Sequence, residues 1–180
     1  MYFYKKTYVK NWDFMGAKEL HKISVKLGNK IRKDIKPERI TYITQEMGYW
    51  RKFNALHGWF ITNCANGVDE CQEIHVPIEK IKDVLAVLHE VNNILNKSAL
   101  AVKLVKNLNG ESYENVYDRE EEVRNVLPPT QGFFFGGIEI DEWFKDSVEK
   151  SIKIFTEVLE EEEISKSYGS FNEFYYRASW

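Results

Sequence analysis

The side chains able to do chemistry concentrate in the first half of the chain. His57, Cys64, Cys71 and His75 are metal-ligand types. None of their spacings forms the Cys-x-x-Cys or His-x3-His pair of a zinc knuckle, so no metal is expected. Cys64 falls on a helical stripe, where a thiol reads as a small buried apolar group. Arg51, Asn54 and His57 follow one another at intervals of three. On a helix they make a ladder of donors that could meet a phosphate or carboxylate. The plainer reading is a buried His57 hydrogen-bonded by Asn54 within an aromatic core. Asp69-Glu70 and Asp141-Glu142 are adjacent carboxylate pairs, the groups used for acid–base work or to hold Mg²⁺. Asp141 also stands where a helix cap belongs. The run Gly132-Phe133-Phe134-Phe135-Gly136-Gly137 lacks the Lys-Ser/Thr of a phosphate loop. Three consecutive Phe cannot share one side, so one of them, with Phe134 at the centre, crosses to another layer or faces a partner. No nucleophile elbow, His-Glu-x-x-His or Walker motif is present, so no catalytic residue, cofactor or enzyme class is assigned.

These residues need elements to place them. Tyr2 to Val9 is rich in Tyr, Phe, Thr and Val and predicts a strand. Phe14 to Ile31 predicts a helix with Ala17, Leu20, Ser24, Leu27 and Ile31 on one side. Pro37 closes that region, and Arg39 to Thr44 alternates as a second strand. Met47 to Cys64 predicts a helix with the stripe Tyr49, Phe53, Leu56, Phe60 and Cys64, with His57 on the same side. Trp59 falls opposite that stripe, about 80° from Arg51 on the wheel. Asn66-Gly67 is a turn. Pro77 opens a long helix carrying Ile78, Ile81, Val84, Leu85, Leu88, Val91 and Leu95. Ser98 to Leu108 and Tyr117 to Val126 predict shorter helices, separated by an Asn109-Gly110 turn. Asp141 caps a helix with Phe144, Val148, Ile152, Phe155 and Leu159 inward. Tyr168 to Trp180 reads as a terminal strand. The strands are not spaced as βαβ units, so the expectation is a mainly helical α+β fold. Its small antiparallel sheet is formed by the N-terminal, Arg39–Thr44 and C-terminal strands.

The chain has 180 residues, a length suited to one domain spanning 1–180. Hydrophobic residues at 43% and charged residues at 29% allow a proper core and a solvated surface. Aromatics reach 14%, a surplus that supplies both core area and binding anchors. The net charge of −3 argues against a dedicated electrostatic nucleic-acid binder. The first third is lysine-rich, whereas Asp118 with Glu120 to Glu122, and Glu157 to Glu163, are acidic. Such blocks imitate a phosphate backbone or, more ordinarily, solvate helix faces. There is no leader-like order at the start and no apolar run of about 20 residues, so a cytoplasmic protein with reduced thiols is expected.

Several stretches share a pattern. They are Tyr49-Trp50-Arg51-Lys52-Phe53-Asn54-Ala55-Leu56-His57-Gly58-Trp59-Phe60, Asn66-Gly67-Val68-Asp69-Glu70-Cys71, and Leu127-Pro128 through Gly132-Phe133-Phe134-Phe135-Gly136 to Asp141-Glu142-Trp143. The ending Tyr176-Arg177-Ala178-Ser179-Trp180 belongs with them. Together they resemble a family of small bacteriophage and prophage accessory proteins, with Leu56 where Ile is usual and Asn66 where Asp is usual. The resemblance covers about half the chain and not its first 45 residues. Family members have no assigned reaction, and some phage proteins of this size inhibit bacterial defence.

The resemblance implies a phage-encoded inhibitor of bacterial immunity, in the manner of an anti-CRISPR protein. It would bind a host defence protein, with a CRISPR effector nuclease as the expected partner, in the host cytoplasm. The binding candidates are Arg51, Asn54, His57, Trp59, Phe134, Trp143, Glu160, Glu161, Glu162 and Glu163. Three alternatives stay open. The first is a nucleotide-binding protein that sequesters a small signal, with aromatics on the base and Arg51 on phosphate. The second is an enzyme using Asp69, Glu70, His57 or Asp141. The third is a phage housekeeping protein with no part in defence.

Overall fold

The computed structural model describes residues 1–10, 21–107, 110–131 and 137–179. In chain order the elements are β1 (Tyr2–Tyr8), β2 (Lys26–Leu27), β3 (Lys30–Ile31), a 3-10 turn (Pro37–Arg39), β4 (Tyr42–Tyr49), α1 (Asn54–Cys64) and β5 (Ile74–His75). They continue with α2 (Ile78–Asn96), β6 (Leu100–Asn107), β7 (Gly110–Tyr117), α3 (Glu120–Val126), α4 (Glu142–Ser167) and β8 (Asn172–Arg177). This is the expected α+β fold. The N-terminal and C-terminal strands pair antiparallel, and the main sheet runs β4-β1-β8-β5.

Alternation along β1 decides which side is covered. Phe3 and Lys5 point inward and are buried, while Tyr2, Tyr4, Lys6 and Tyr8 take the other face. Phe3 meets Phe60, Phe155 and Phe174 within 6.1 Å, which joins the sheet to α1 and α4. A buried lysine needs a partner, and Lys5 Nζ donates to Glu161 Oε2 at 2.9 Å. The α2 stripe Ile81, Val84, Leu88, Val91 and Leu95 is buried as its period predicts, with Leu85 at the edge of the core. On α4, Phe144, Val148, Phe155 and Val158 face inward, and Ile152 and Leu159 are half-buried. Small Ser147 and Ser151 sit among them, and Trp50 Nε1 donates to Ser151 Oγ at 2.8 Å. Gly48 lets Trp50 lie close, because a Cβ there would fall 2.7 Å from the indole.

Four predicted elements are corrected. Residues 21–31 of the first predicted helix instead end in the β2–β3 hairpin, and residues 14–20 lie outside the described part. Gly28 at φ +57° makes its two-residue turn, which leaves Leu27 and Ile31 exposed rather than on a helical stripe. The second strand covers Tyr42–Tyr49, not Arg39 to Thr44, because Pro37–Arg39 forms the 3-10 turn. Its extension to Tyr49 shortens the next helix, which starts at Asn54 after Lys52 adopts φ +62°. Ser98 to Leu108 is no helix: Leu100–Asn107 pairs antiparallel with Gly110–Tyr117. Leu100, Val102 and Leu104 alternate at the strand period, and cross-strand pairing outweighs their helix propensity. Leu108 and Asn109 lie outside the described residues.

Candidate functional site

The shared-pattern stretches, far apart in sequence, meet around the N-terminal half of α1. His57 is 1% exposed and bonded through both ring nitrogens. Nδ1 lies 2.8 Å from the Tyr176 hydroxyl, and Nε2 lies 3.0 Å from Asp69 Oδ2. Burial, with the charge of Asp69 adding to it, pushes Tyr176 well above the usual phenol range. Tyr176 is therefore a neutral phenol able to donate to Nδ1, while Nε2–H donates to the carboxylate. The Tyr176 ring also stacks on Phe60 at 4.4 Å. One histidine thus ties α1 to β8 and to the loop that follows Asn66-Gly67.

Asn54 has a different task from the one expected. Its Nδ2 donates to Gly137 O at 2.7 Å, and it does not serve His57. The Gly137–Asp141 strip is also held by Arg124, which donates to Ile138 O at 2.7 Å, and by Tyr117 N–H, which donates to Ile140 O at 2.8 Å. Asp141 Oδ1 accepts from Phe144 N–H at 2.8 Å and caps α4, as its position predicts.

Above this polar layer opens a cleft of about 360 Å³ lined by Arg51, Lys52, Gly137, Glu139, Asp141 and Trp143. Arg51 is exposed and makes no side-chain bond among the described residues. Trp143 is 47% exposed and leans edge-on against Phe53 at 6.4 Å. Lys52 holds its left-handed φ beside the same opening, a conformation that costs a non-glycine residue about 1 kcal/mol or more. The cleft combines two cations, an aromatic face and the carboxylates of Glu139 and Asp141.

Arg51 precedes the helix, so the Arg51-Asn54-His57 ladder does not form as drawn. Arg51 reaches the cleft, while Asn54 and His57 are buried beneath it. The wheel angle between Arg51 and Trp59 lapses for the same reason. Trp59 is half-buried and edge-on to Phe60 at 5.5 Å, so the core claims part of it. Phe134 lies outside the described residues. Glu160 to Glu163 lie about 25–30 Å along α4 from Trp143, at 1.5 Å per residue. Three of these acids have internal partners: Glu161 with Lys5, Glu162 with Asn172 and Glu163 with Lys166. Of Asp69 and Glu70, Asp69 turns to His57, while Glu70 is exposed and its backbone N–H donates to Gln72 Oε1. Cys64 is half-buried, which pushes its thiol up to about 11, and His75 packs edge-on to Tyr175. Among the described residues no three His, Cys, Asp or Glu converge as a metal group would require.

The sequence reading gave no site role to Glu139, nor to Lys52 and Tyr176, which it named only as parts of the shared pattern. Only the alternation of the last strand hinted that Tyr176 points inward. Compared with known proteins, the chain matches no family model, no curated protein and no solved structure.

Proposed function

We propose that this chain acts by binding, and that the Arg51–Trp143 cleft takes a phosphate-bearing aromatic ligand of the nucleotide class. The observation that carries the reading is the juxtaposition in one opening of Arg51, Lys52, Trp143 and Glu139. Arg51 and Lys52 meet phosphate, the Trp143 face takes a base, and Glu139 accepts from base amino or ribose hydroxyl groups. The cleft volume lies in the range of small-ligand sites. The phage-protein resemblance gives a setting in which such a protein would sequester a nucleotide signal used in host defence.

A thermal-shift screen against mono-, di- and cyclic nucleotides tests it. A ligand at a hundred times its Kd adds about 2.7 kcal/mol. For a chain this long that corresponds to a rise of roughly 5–10 °C. Arg51→Ala and Trp143→Ala should each abolish the rise. The exposed Arg51 can be removed with the unliganded melting temperature kept within about 2 °C. Removing the half-buried Trp143, packed on Phe53, should lower it further, so that variant's response is read against its own unliganded value. No response to any nucleotide would overturn the reading.

A second reading is a contact inhibitor of a host defence protein such as a CRISPR effector nuclease. The adjacency of half-exposed Trp143 to Arg51 favours it, because Trp and Arg are the residue types that dominate interface energetics. Loss of nuclease inhibition in the same two variants, without any nucleotide response, would select this reading over the first.

A further inference from the structure

Among the described residues, the helices cover one face of the main sheet and none packs on the other. Register places Tyr2, Tyr4, Lys6 and Tyr8 of β1 on that outer face. Across from them stand Tyr49, Glu46, Thr44 and Tyr42 of β4 on one side, and Arg177, Tyr175 and Glu173 of β8 on the other. Ring contacts confirm the shared face. Tyr2 lies 5.0 Å from Tyr49 and 5.9 Å from Tyr4, and Tyr8 lies 6.1 Å from Tyr42 and 5.4 Å from Phe171. Lys6 Nζ stands 4.1 Å over the Tyr42 ring and 5.3 Å over Tyr175. Six tyrosines therefore pave a surface that the core does not use, and Tyr42 and Tyr49 are 44% and 42% exposed.

We propose that this outer sheet face binds single-stranded nucleic acid by stacking bases on its tyrosines. The outward positions just named carry no aliphatic side chain. The rings instead alternate with hydroxyl and cationic groups, which suits planar bases joined by phosphates. Lys6 and Arg177 lie on the face, and Lys150 Nζ borders it 5.9 Å from the Tyr49 ring. Directly after Tyr8, a second cleft of about 410 Å³ is lined by Lys10, His21 and Lys22 together with Glu38 and apolar side chains. Two acids also stand on the face. Glu173 Oε2 accepts from the hydroxyls of Tyr8 and Tyr175, at 2.8 and 3.0 Å, and fixes those rings. Glu46 lies opposite Tyr4. With charge this balanced, stacking supplies the affinity and counterion release adds little.

The test is fluorescence anisotropy of end-labelled oligo(dT), oligo(U) and a duplex of equal length, on the full chain. Both single strands should bind and the duplex should not. The salt slope should be shallow, between about −1.4 and −2.1, as expected for two or three phosphates on a single strand. Tyr42→Leu and Tyr49→Leu should each weaken binding about tenfold, whereas Tyr113→Ser, an exposed ring on the separate β6–β7 hairpin, should not. All three sites are exposed, and circular dichroism checks that each variant folds. Equal binding of the duplex, unchanged affinity in both Leu variants, or no oligonucleotide binding by the folded wild type would each overturn the proposal. If the Leu variants lose a protein partner while the wild type ignores oligonucleotides, the face docks protein and the proposal fails.

Discussion

Tyr176→Phe isolates the central polar contact of the site. The substitution keeps the ring and its 4.4 Å stacking on Phe60, so no cavity opens. It removes only the hydroxyl 2.8 Å from His57 Nδ1, at a histidine with 1% exposure. A buried group left without its partner costs roughly 1–3 kcal/mol, and we expect about 2 kcal/mol here. For a chain of this length that corresponds to a fall in Tm of roughly 4–8 °C. Urea titration should show a lower midpoint with an unchanged m-value, since the surface exposed on unfolding stays the same. A double-mutant cycle with His57→Leu tests the assignment further. Once both partners are apolar, the orphaned acceptor is gone, and Asp69, whose side chain is 26% exposed, can turn to water. The pair should therefore be less costly than the sum of its members by about 1–2 kcal/mol. A Tyr176→Phe effect below about 0.5 kcal/mol, or strict additivity in the cycle, would refute the reasoning, because such values mark surface changes or independent sites.

Two more outcomes follow from the packing and from the buried ionisable groups. Gly58→Ala should destabilise despite the better helix propensity of Ala, since the new Cβ would fall 2.0 Å from Thr130 Oγ1; adding Thr130→Ala should restore the loss and leave the pair more stable than wild type by chemical denaturation. Cys64 at about 11 and Tyr176 well above its ordinary value stay protonated in the folded chain, whereas the unfolded groups ionise from their ordinary 9.0 and 10.0. Unfolding thus releases protons, so stability should fall as pH rises from about 9; in Cys64→Ala the fall should begin about one unit higher, and a flat urea midpoint across that range would contradict it.

The long helices and the sheet's central strand were legible because their information is local. The α2 stripe repeats at helical spacing with no competing partner, Asp141 is both a cap type and in cap position, and Tyr2 to Tyr8 is rich in the aromatic and β-branched residues that favour strands. The Asn66-Gly67 turn was legible too, since Asn and Gly tolerate the left-handed φ of +53° and +79° found there. Short segments behaved otherwise. Residues 98–107 carry apolar side chains compatible with either period, and pairing with Gly110–Tyr117 decided the outcome. Residues 47–49 joined a strand because β1 offered an edge to pair with, which displaced Arg51 from the helix and moved it to the cleft. The sequence alone thus singled out Arg51, Asn54, His57, Asp69 and Trp143 as capable side chains. It could not say that His57 would bond Asp69 and Tyr176, or that Asn54 would hold Gly137. Those contacts join residues 12, 119 and 83 positions apart. Contacts of such separation leave no periodic trace along a chain, and they exist only once the sheet and helices have packed.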